Sequence, residues 1–378
     1  MAMWTATLIV AALVAGSCVY CLLSILAARR YLAVCPASAA DRPPISVLKP
    51  LSGLDPGLEE NLRSFFTQEY PEYELLLSVR HADDPAVAVV NRLKQDFPAR
   101  PATLIVTGDP PYPNHKVFAL ECMRRAARHE ILVMSDSDIR AASGFLATIA
   151  AEFSDARTGL ITCPYRAVPG PSFWSVVEAM MMNTEFLSGV LTARMLEGMK
   201  FALGPTIAAR YGVLAELGGL DALREYLAED FVMGKLAAER GHGVVLSSFV
   251  IEHHIGTMPF RAKASHRLRW CRSTRRSRPA GYAGQVFTNP TPLVLVLLCL
   301  APALWPLAAV ACLLRAANAW AVAGRILHDP LCSRRWWLIP VADLISFAFW
   351  LAGFFGRTIQ WRGRRYLLLR DGRFLPAP

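Results

Sequence analysis

An uncharged apolar run near the start of the chain sets the strongest limit on how it can fold. From residue 4 to residue 28 no charged side chain occurs, and Arg29 and Arg30 follow directly. A run of roughly 25 apolar residues is long enough to cross a bilayer as a helix. Signal peptides carry their positive charge before a shorter apolar stretch, so this run is predicted to be a retained anchor whose C-terminal end faces the cytoplasm.

Two further apolar blocks, 291–324 and 336–356, follow a stretch at 41–289 that has the mixed composition of a globular domain. The hydrophobic fraction of 54% and the charged fraction of 19% agree with a chain that lies partly in lipid. We therefore predict four regions: a transmembrane anchor at 1–30, a globular domain at 41–289 with an interface segment at 258–289, a C-terminal transmembrane region at 290–358, and a basic cytoplasmic tail at 359–378.

The basic residues are placed to meet a membrane rather than a nucleic acid. The net charge is +10, and a cluster of basic side chains lies just before the second apolar block: Arg261, Lys263, Arg267, Arg269, Arg272, Arg275, Arg276 and Arg278. A basic run next to a membrane segment suits anionic lipid headgroups or a diphosphate, although membrane topology alone also accounts for it. We expect a lipid bilayer, and no nucleic acid, among the partners.

The C-terminal region is predicted to cross the membrane an even number of times, with spans at 292–314 and 337–357. The reason is the arginine-rich tail, which the positive-inside rule keeps in the cytoplasm: Arg357, Arg362, Arg364, Arg365, Arg370 and Arg373. With two spans, the arginines between 315 and 335 face the outside, against the same rule. Pro302 and Pro306 also allow a broken or re-entrant helix in this block.

Four short apolar runs within 41–289 are typical of buried strands, at 45–49, 75–80, 103–107 and 131–135. The segments between them, 58–67, 85–96 and 116–129, have apolar residues at three- and four-residue spacing, which indicates helices. This alternation predicts an α/β domain with a mainly parallel sheet and helices on both faces. Ligands of such sheets bind beyond the carboxyl ends of the strands.

Two carboxylates, Asp136 and Asp138, follow the fourth predicted strand. Oxygen ligands on one short segment suit a divalent cation that holds a diphosphate, so Mg²⁺ or Mn²⁺ is expected here. The pattern alone is weak, because Asp-x-Asp also occurs in turns and caps. Asp84, after the second strand, has two interpretations: a contact to a nucleotide, or a helix cap before Pro85.

Three further groups have both a functional and a structural interpretation. Lys116 opens a predicted helix and can approach a phosphate, although a surface lysine fits equally well. Glu229 and Asp230 lie in a helix-like stretch, where a solvated acidic pair is common. Arg269 can pair with phosphate oxygens and Trp270 can stack on a ring, but a membrane-interface belt has the same composition.

Taken in order, these segments resemble the ceramide glucosyltransferase family and its bacterial relatives, which include hopanoid-associated glycosyltransferases. The resemblance covers about residues 4–290 and rests on these motifs: VLKPL from residue 47, EYPEYE from 69, DDP from 83, Asn114-x-Lys116, DSDIR from 136, EDF from 229, and RW at 269. The family has the GT-A fold, a Rossmann-like mixed and mainly parallel sheet. Its members are inverting enzymes with a D, D, D, Q/RxxRW signature.

The resemblance implies transfer of glucose or N-acetylglucosamine from a UDP-sugar donor to a hydroxyl of a membrane lipid acceptor. It implies these roles: Asp84 near the uridine, Asp136 and Asp138 at the metal and diphosphate, Asp230 as general base, and Arg269 with Trp270 at the diphosphate and acceptor. His266 occupies the first position of the signature, which is usually Gln or Arg. Separately, the ceramide enzymes carry a histidine linked to acceptor handling where residues 172–200 contain none, which favours a hopanoid or another non-ceramide lipid. The expected location is a bacterial inner membrane, with the catalytic domain in the cytoplasm.

Two other functions stay open at this point. A processive polysaccharide synthase shares the aspartates and a QxxRW-like motif, but it needs a channel built from more than the roughly three spans predicted here. A non-catalytic membrane scaffold that binds a nucleotide sugar is the other, and the presence of Asp230 argues against it. The sequence thus predicts a membrane-bound GT-A enzyme with one N-terminal and about two C-terminal transmembrane helices.

Overall fold

A computed structural model describes residues 1–34, 41–257, 259–361 and 364–377. Met258, at the start of the predicted interface segment, and Arg362, in the predicted tail, lie outside the described residues. The helices are α1 (Ala2–Leu32), α2 (Leu58–Phe66), α3 (Ala86–Asp96), α4 (His115–Ala126), α5 (Phe145–Glu152), α6 (Phe173–Met181), α7 (Leu187–Glu197), α8 (Tyr211–Glu216), α9 (Glu229–Glu239), α10 (Phe260–Ser277), α11 (Pro279–Gly284), α12 (Pro290–Leu300), α13 (Trp305–Ala319), α14 (Pro330–Arg334) and α15 (Ile339–Gly353).

The strands are β1 (Ile45–Pro50), β2 (Tyr73–Val79), β3 (Ala102–Val106), β4 (Ile131–Ser135), β5 (Ile139–Arg140), β6 (Thr158–Thr162), β7 (Tyr165–Val168), β8 (Thr206–Arg210), β9 (Gly243–Leu246), β10 (Ile251–His254), β11 (Thr358–Trp361), β12 (Arg364–Leu368) and β13 (Phe374–Pro376). The four predicted strands and the three predicted helices between them are confirmed, with shifts of a few residues at their ends.

A seven-stranded sheet in the order β3-β2-β1-β4-β8-β6-β9 forms the centre of the globular domain. The first four strands in that order pair in parallel, and β8 runs antiparallel to both of its neighbours. A second, three-stranded sheet, β5-β10-β7, lies beyond the end of β4. The predicted mixed and mainly parallel sheet is confirmed.

Both faces of the central sheet are buried, which explains why its strands are continuous apolar runs. On β1, Val47 packs into the cluster that includes Phe65 and Phe145, while Leu48 packs into a second cluster with Leu120. Successive side chains of a strand point to opposite faces, so a strand covered on both sides has no polar alternation. Helices therefore cover both faces and leave the strand ends open for polar side chains.

Three helical segments of the described chain are long and apolar enough to cross a bilayer: Ala2–Leu32, Pro302–Gly324 and Trp336–Gly353. They match the prediction of one N-terminal and about two C-terminal spans. The predicted span at 292–314 is broken, because α12 ends at Leu300 and a new helical segment starts at Pro302. The segments Pro279–Phe287 and Pro290–Leu300 form a further apolar pair bent by 51°.

The stretch 315–335 packs against other parts of the protein at both of its ends. Arg315 lies inside α13 and is 4% exposed, and its Nη2 atom is 2.8 Å from Oδ1 of Asp343 on α15. Beyond α13, the backbone oxygens of Leu327 and His328 accept hydrogen bonds from Arg166 on β7 of the globular domain. The segment before α15 therefore contacts the globular domain directly.

The segment after α15 also returns to the globular domain. Arg275 of α10 donates hydrogen bonds to the backbone oxygens of Phe354 and Gly356. The residues predicted as a basic tail then form a three-stranded antiparallel sheet, β11-β12-β13. Arg373, directly before β13, forms an isolated bridge with Tyr226 of the domain. The C-terminal sheet thus packs on the globular domain.

Candidate active site

The loop after β4 carries two of the predicted site residues, Asp136 and Asp138. Lys49 of β1 holds this loop by a hydrogen bond. The Lys49 ammonium is fully buried and donates to the backbone oxygen of Asp136 at 2.6 Å. It also lies 3.9 Å from the ring centroid of Phe65. Burial lowers the pKa of Lys49 to about 7, against the attraction of Asp136 and Asp138. A buried ammonium group needs hydrogen-bond partners, and this contact holds the backbone of the loop at Asp136.

Lys116, at the start of α4, joins two parts of the site. Its Nζ atom is 2.6 Å from Oδ1 of Asp136 and 3.5 Å from Oε1 of Glu229. It also donates to the backbone oxygen of Gly204 at 3.2 Å. Burial would lower the pKa of Lys116, but Asp136 and Glu229 outweigh it and raise that pKa. The surface-lysine interpretation is wrong for this residue, because Lys116 is the cation between two acidic segments.

Asp138 is paired with a histidine that the sequence did not single out. Nε2 of His253, on β10, is 3.0 Å from Oδ2 of Asp138. Although burial by itself raises the pKa of Asp138, the charge and hydrogen bond of His253 outweigh it and lower that pKa. The other oxygen of Asp138, Oδ1, is buried and has no hydrogen-bond partner among the described residues. One carboxylate oxygen is thus left for a ligand.

Glu229 and Asp230 form the first turn of α9, where their negative charge meets the positive end of the helix. Burial raises the pKa of Glu229 to about 7, with Lys116 opposing this change. Burial also raises the pKa of Asp230, again opposed by Lys116. The solvated acidic pair is therefore excluded.

Close backbone approach holds α9 against the segment 201–204. A Cβ atom at Gly204 would lie 2.8 Å from Oδ2 of Asp230, and a Cβ atom at Gly234 would lie 2.3 Å from the backbone nitrogen of Ala202. Glycine at both positions lets the helix and the segment touch. Phe201 and Phe231 stack at 6.0 Å beside this contact. The position of Asp230 is thus fixed by its own helix and by the segment opposite.

Asp84 performs the capping role that was one of its two interpretations. Its Oδ1 atom accepts the backbone N–H of Ala86, in the first turn of α3, at 2.9 Å. Both carboxylate oxygens also accept the N–H of Gly53, in the loop after β1, at 3.1 Å. Asp84 therefore ties the loops after β1 and β2 together at the edge where a nucleotide is expected.

Arg269 and Trp270 lie on α10, which ion pairs connect to α6. Glu178 of α6 pairs with Lys263 at 2.9 Å, and its Oε1 atom is 3.9 Å from Nδ1 of His266. The His266 ring lies 4.5 Å from the Trp270 ring. Burial lowers the pKa of His266, and the charges of Arg269 and His253 act in the same direction. Electrostatic interactions thus connect α10 with the Asp138–His253 pair.

The structure brings Asp136, Lys116, Glu229 and Asp230 into one connected group, with Asp138 two residues from Asp136. Sequence reasoning missed Lys49 and His253. The only local signal for Lys49 was a lysine inside an otherwise apolar strand, and β10 gave none for His253, which lies 115 residues from Asp138. Within the described ranges, no group of three or more His, Cys, Asp or Glu side chains is arranged to hold a metal ion.

Comparison with known proteins gives related sequences and a related fold. Ceramide glucosyltransferase 1 of Caenorhabditis elegans is 31% identical over 208 residues, which cover 54% of this chain and 44% of that protein. A ceramide glucosyltransferase of Komagataella phaffii is 33% identical over 107 residues, which cover 27% of this chain and 21% of that protein. The chain spans less than half the length of these relatives.

A solved mannosyltransferase of Pyrobaculum calidifontis, in complex with GDP-mannose and Mn²⁺, has a TM-score of 0.53 and 22% identity, over 91% of this chain and 98% of that one. This likeness, together with the sheet order, supports the GT-A fold. The profile of glycosyl transferase family 21 matches residues 7–374. Since the match covers almost the whole sequence, the chain belongs to glycosyl transferase family 21.

Proposed function

We propose that the protein is an inverting glycosyltransferase that moves glucose or N-acetylglucosamine from a UDP-sugar to a hydroxyl of a membrane lipid. The observation that carries this proposal is the partly buried link from Asp136 through Lys116 to Glu229, next to Asp230. The link connects Asp136, which is expected at the diphosphate, to the acidic pair that contains Asp230, the acid expected at the acceptor hydroxyl. A binding-only scaffold has no need for a second, partly buried acid with a raised pKa at this place.

The donor would lie along the carboxyl ends of β1, β2 and β4. Asp84 is proposed at the uridine, since it orders the two loops that border this edge. Lys116 and Arg269 would approach the diphosphate, because two cations on different elements can grip a group with several anionic oxygens. Trp270, on the same helix as Arg269, would contact the sugar or the acceptor.

Asp136 and Asp138 would hold the Mg²⁺ or Mn²⁺ ion. The fit rests on Oδ1 of Asp138, a buried oxygen that has no hydrogen-bond partner among the described residues and lies on the segment that also carries Asp136. The described residues offer no complete ligand set of their own, so diphosphate oxygens of the donor would supply further ligands. When bound, such an ion stabilises negative charge on the departing diphosphate.

Asp230 is proposed as the general base. Its raised pKa makes the ionised carboxylate a better proton acceptor than an ordinary aspartate, and the charge of Lys116 opposes that rise. The acceptor hydroxyl would attack the anomeric carbon of the sugar as the bond to the diphosphate breaks. The hydroxyl proton passes to Asp230 and the bonding electrons leave with the diphosphate. A single displacement of this kind inverts the anomeric configuration.

The acceptor is proposed to reach the site from the bilayer without leaving it. The basic helix α10 lies between the site and α15, one of the apolar helices, and Arg267 joins Glu185 and Ser346 there. Arg29 and Arg30 at the end of α1 favour the cytoplasmic side of a bacterial inner membrane for the catalytic domain. A hopanoid or a ceramide-like lipid is the proposed acceptor, with a non-ceramide lipid favoured by the absence of histidine within 172–200.

Purified protein in lipid nanodiscs, incubated with labelled UDP-glucose or UDP-N-acetylglucosamine, tests this function. Ceramide and a hydroxylated hopanoid would be offered separately, with the product identified by mass spectrometry and its anomeric configuration by NMR. We expect one glycosylated lipid with inverted configuration from wild type and none from Asp230→Asn. A long sugar polymer would support a processive synthase, and UDP-sugar binding without any product would support a scaffold; either result rejects the proposal.

A further inference from the structure

The last strand of the chain, β13, packs against the loop that leads into the proposed catalytic acids. The backbone N–H of Phe374 donates to the oxygen of Glu225 at 2.9 Å, and Tyr226 forms a β-bridge with Arg373. The Arg373 guanidinium is 3.2 Å from the Glu225 carboxylate. The loop at 225–227 is therefore held by backbone pairing as well as by charge, only two residues before Glu229 in the chain.

Apolar burial reinforces this pairing. Phe374 is 0% exposed, and it packs in a small cluster with Leu227 of the loop and with Ile359, Tyr366 and Leu368 of the C-terminal sheet. Burial of a whole aromatic side chain is worth far more than the exposed ion pair beside it. The cluster is separate from the two main cores of the domain. Leu227 is thus anchored mainly by residues from the far end of the sequence.

The opposite side of the loop touches the proposed donor site. The backbone oxygen of Tyr226 accepts from Nδ2 of Asn114 at 2.9 Å, and Asn114 caps the helix α4 that carries Lys116. No side chain caps the N-terminus of α9 itself, which begins at Glu229. The start of α9 is therefore positioned from outside, by Asn114 on one side and by the C-terminal sheet on the other.

The C-terminal sheet is tied in turn to α10. Arg272 donates to the backbone oxygen of Thr358, the first residue of β11, at 2.6 Å, and to that of Phe355 at 3.1 Å. Arg272 lies one turn after Arg269 on the same helix. A continuous set of contacts thus runs from α10, which carries Arg269 and Trp270, through the C-terminal sheet to the loop before Asp230.

We infer that the C-terminal sheet is a positioning element for catalysis, which holds Asp230 of α9 at a fixed position relative to Arg269 of α10. The kinetic part of this inference rests on the proposed function. Phe374 and Leu227 are positioning residues that act through α9. Loss of the contact would let the first turn of α9 move while leaving the donor edge at β1, β2 and β4 in place. A small displacement of a catalytic group costs rate rather than substrate binding.

The test compares Phe374→Ala with Leu375→Ala, its neighbour on the same strand, whose side chain is 46% exposed. Hydrogen–deuterium exchange of the peptide around 222–232 is expected to accelerate in Phe374→Ala and to stay unchanged in Leu375→Ala. With an active wild type, kcat of Phe374→Ala is expected to fall by about ten- to a hundredfold, while the affinity for UDP stays at the wild-type value.

Leu227→Ala removes the same contact from the loop side and is expected to reproduce both effects. In the Asp230→Asn background, Phe374→Ala should lower turnover no further, because both changes act on one step. Unchanged exchange at 222–232, or wild-type kcat together with faster exchange, would overturn the inference. A wild type without transferase activity would reject the proposed function instead, and the exchange measurement alone would then decide whether the C-terminal sheet positions α9.

Discussion

The Nζ atom of Lys116 lies 2.6 Å from the Oδ1 atom of Asp136. The partners stand on different elements, the start of α4 and the loop after β4, so the ion pair forms only when the domain is folded. Lys116 also faces Glu229, and its charge opposes the rise in the pKa of Asp230. One ammonium group thereby serves both the proposed diphosphate site and the proposed base.

Replacing Lys116 by glutamine is expected to change the pH dependence of turnover. Asp230 accepts a proton only when ionised, so kcat falls as the pH drops through its pKa. The Lys116 charge lowers that pKa, so its removal raises it further and moves the acidic limb of the kcat profile to higher pH. Lys235→Gln, which removes an exposed lysine from α9, serves as control and should leave the limb unchanged. An acidic limb that does not move in Lys116→Gln contradicts the electrostatic link.

The metal prediction concerns Asp138. Chelation by EDTA is expected to abolish transfer, and added Mg²⁺ or Mn²⁺ to restore it. Binding of Mn²⁺ in the presence of UDP, followed by electron paramagnetic resonance, should weaken at least about tenfold in Asp138→Asn, since even residues that only support metal ligands typically contribute about 10–100-fold to metal affinity. Asp83→Asn, an exposed acid near the donor edge, should bind Mn²⁺ like wild type. Full activity in excess EDTA would remove the metal from the mechanism.

Much of the fold could be predicted because its signals are local. The strands around Val47 and Leu76 are apolar runs of strand length, and the helices between them repeat their apolar residues at helical spacing. The position of Asp136 and Asp138 after such a strand is the basis for the prediction that they bind a ligand, and in the structure both follow β4. For Lys116 the sequence left a surface position equally open, and only the folded domain shows it between two acidic segments.

What the sequence could not predict depends on residues far apart in the chain. His253 reaches Asp138 because β10 pairs with β5, and no repeated pattern in the sequence predicts this pairing. Arg315 is neutralised by Asp343 on another helix, and neither residue alone indicates its partner. The C-terminal sheet was hidden because a short arginine-rich segment has the composition of a solvated tail.

The buried pair of Arg315 and Asp343 gives a stability prediction. Their side chains are 4% and 0% exposed, and Thr291 donates a further hydrogen bond to Asp343 at 2.8 Å. Asp343→Ala leaves the Arg315 charge buried and unpaired, so a loss of about 3–5 kcal/mol is expected. Thermal unfolding in detergent measures it. The double variant Arg315→Leu/Asp343→Leu should regain part of that loss, whereas a melting curve of Asp343→Ala like that of wild type would contradict the pairing.

Membrane topology can be tested with single introduced cysteines. Asp155→Cys lies on the exposed surface of the globular domain, and Leu375→Cys lies on the C-terminal sheet. Both are expected to react with an impermeant maleimide only after the cells are opened, because the C-terminal sheet packs on the domain. Ala2→Cys, at the far end of α1, should react in intact cells. Strong labelling of Asp155→Cys in intact cells would place the globular domain outside the cytoplasm and contradict the prediction.

The sharpest prediction assigns one task to Asp230. Asp230→Asn keeps the size and much of the hydrogen bonding of the side chain but removes its capacity to accept a proton. Turnover is therefore expected to fall on the order of 10²–10⁴-fold, the usual contribution of a positioned base. The affinity for UDP-sugar should stay close to that of wild type, because the donor edge at β1, β2 and β4 is untouched.

Asp84→Asn is the matched comparison, since it makes the same chemical change at the donor edge. Asp84 holds the N–H groups of Gly53 and Ala86, so its replacement should loosen both loops and weaken UDP-sugar binding more than it slows the bound complex. Turnover and binding measured on both folded variants separate a base from a binding residue. If Asp230→Asn keeps more than about a tenth of wild-type turnover, the loss is too small for a missing base. Glu229, whose pKa is raised to about 7 beside Lys116, then becomes the better candidate.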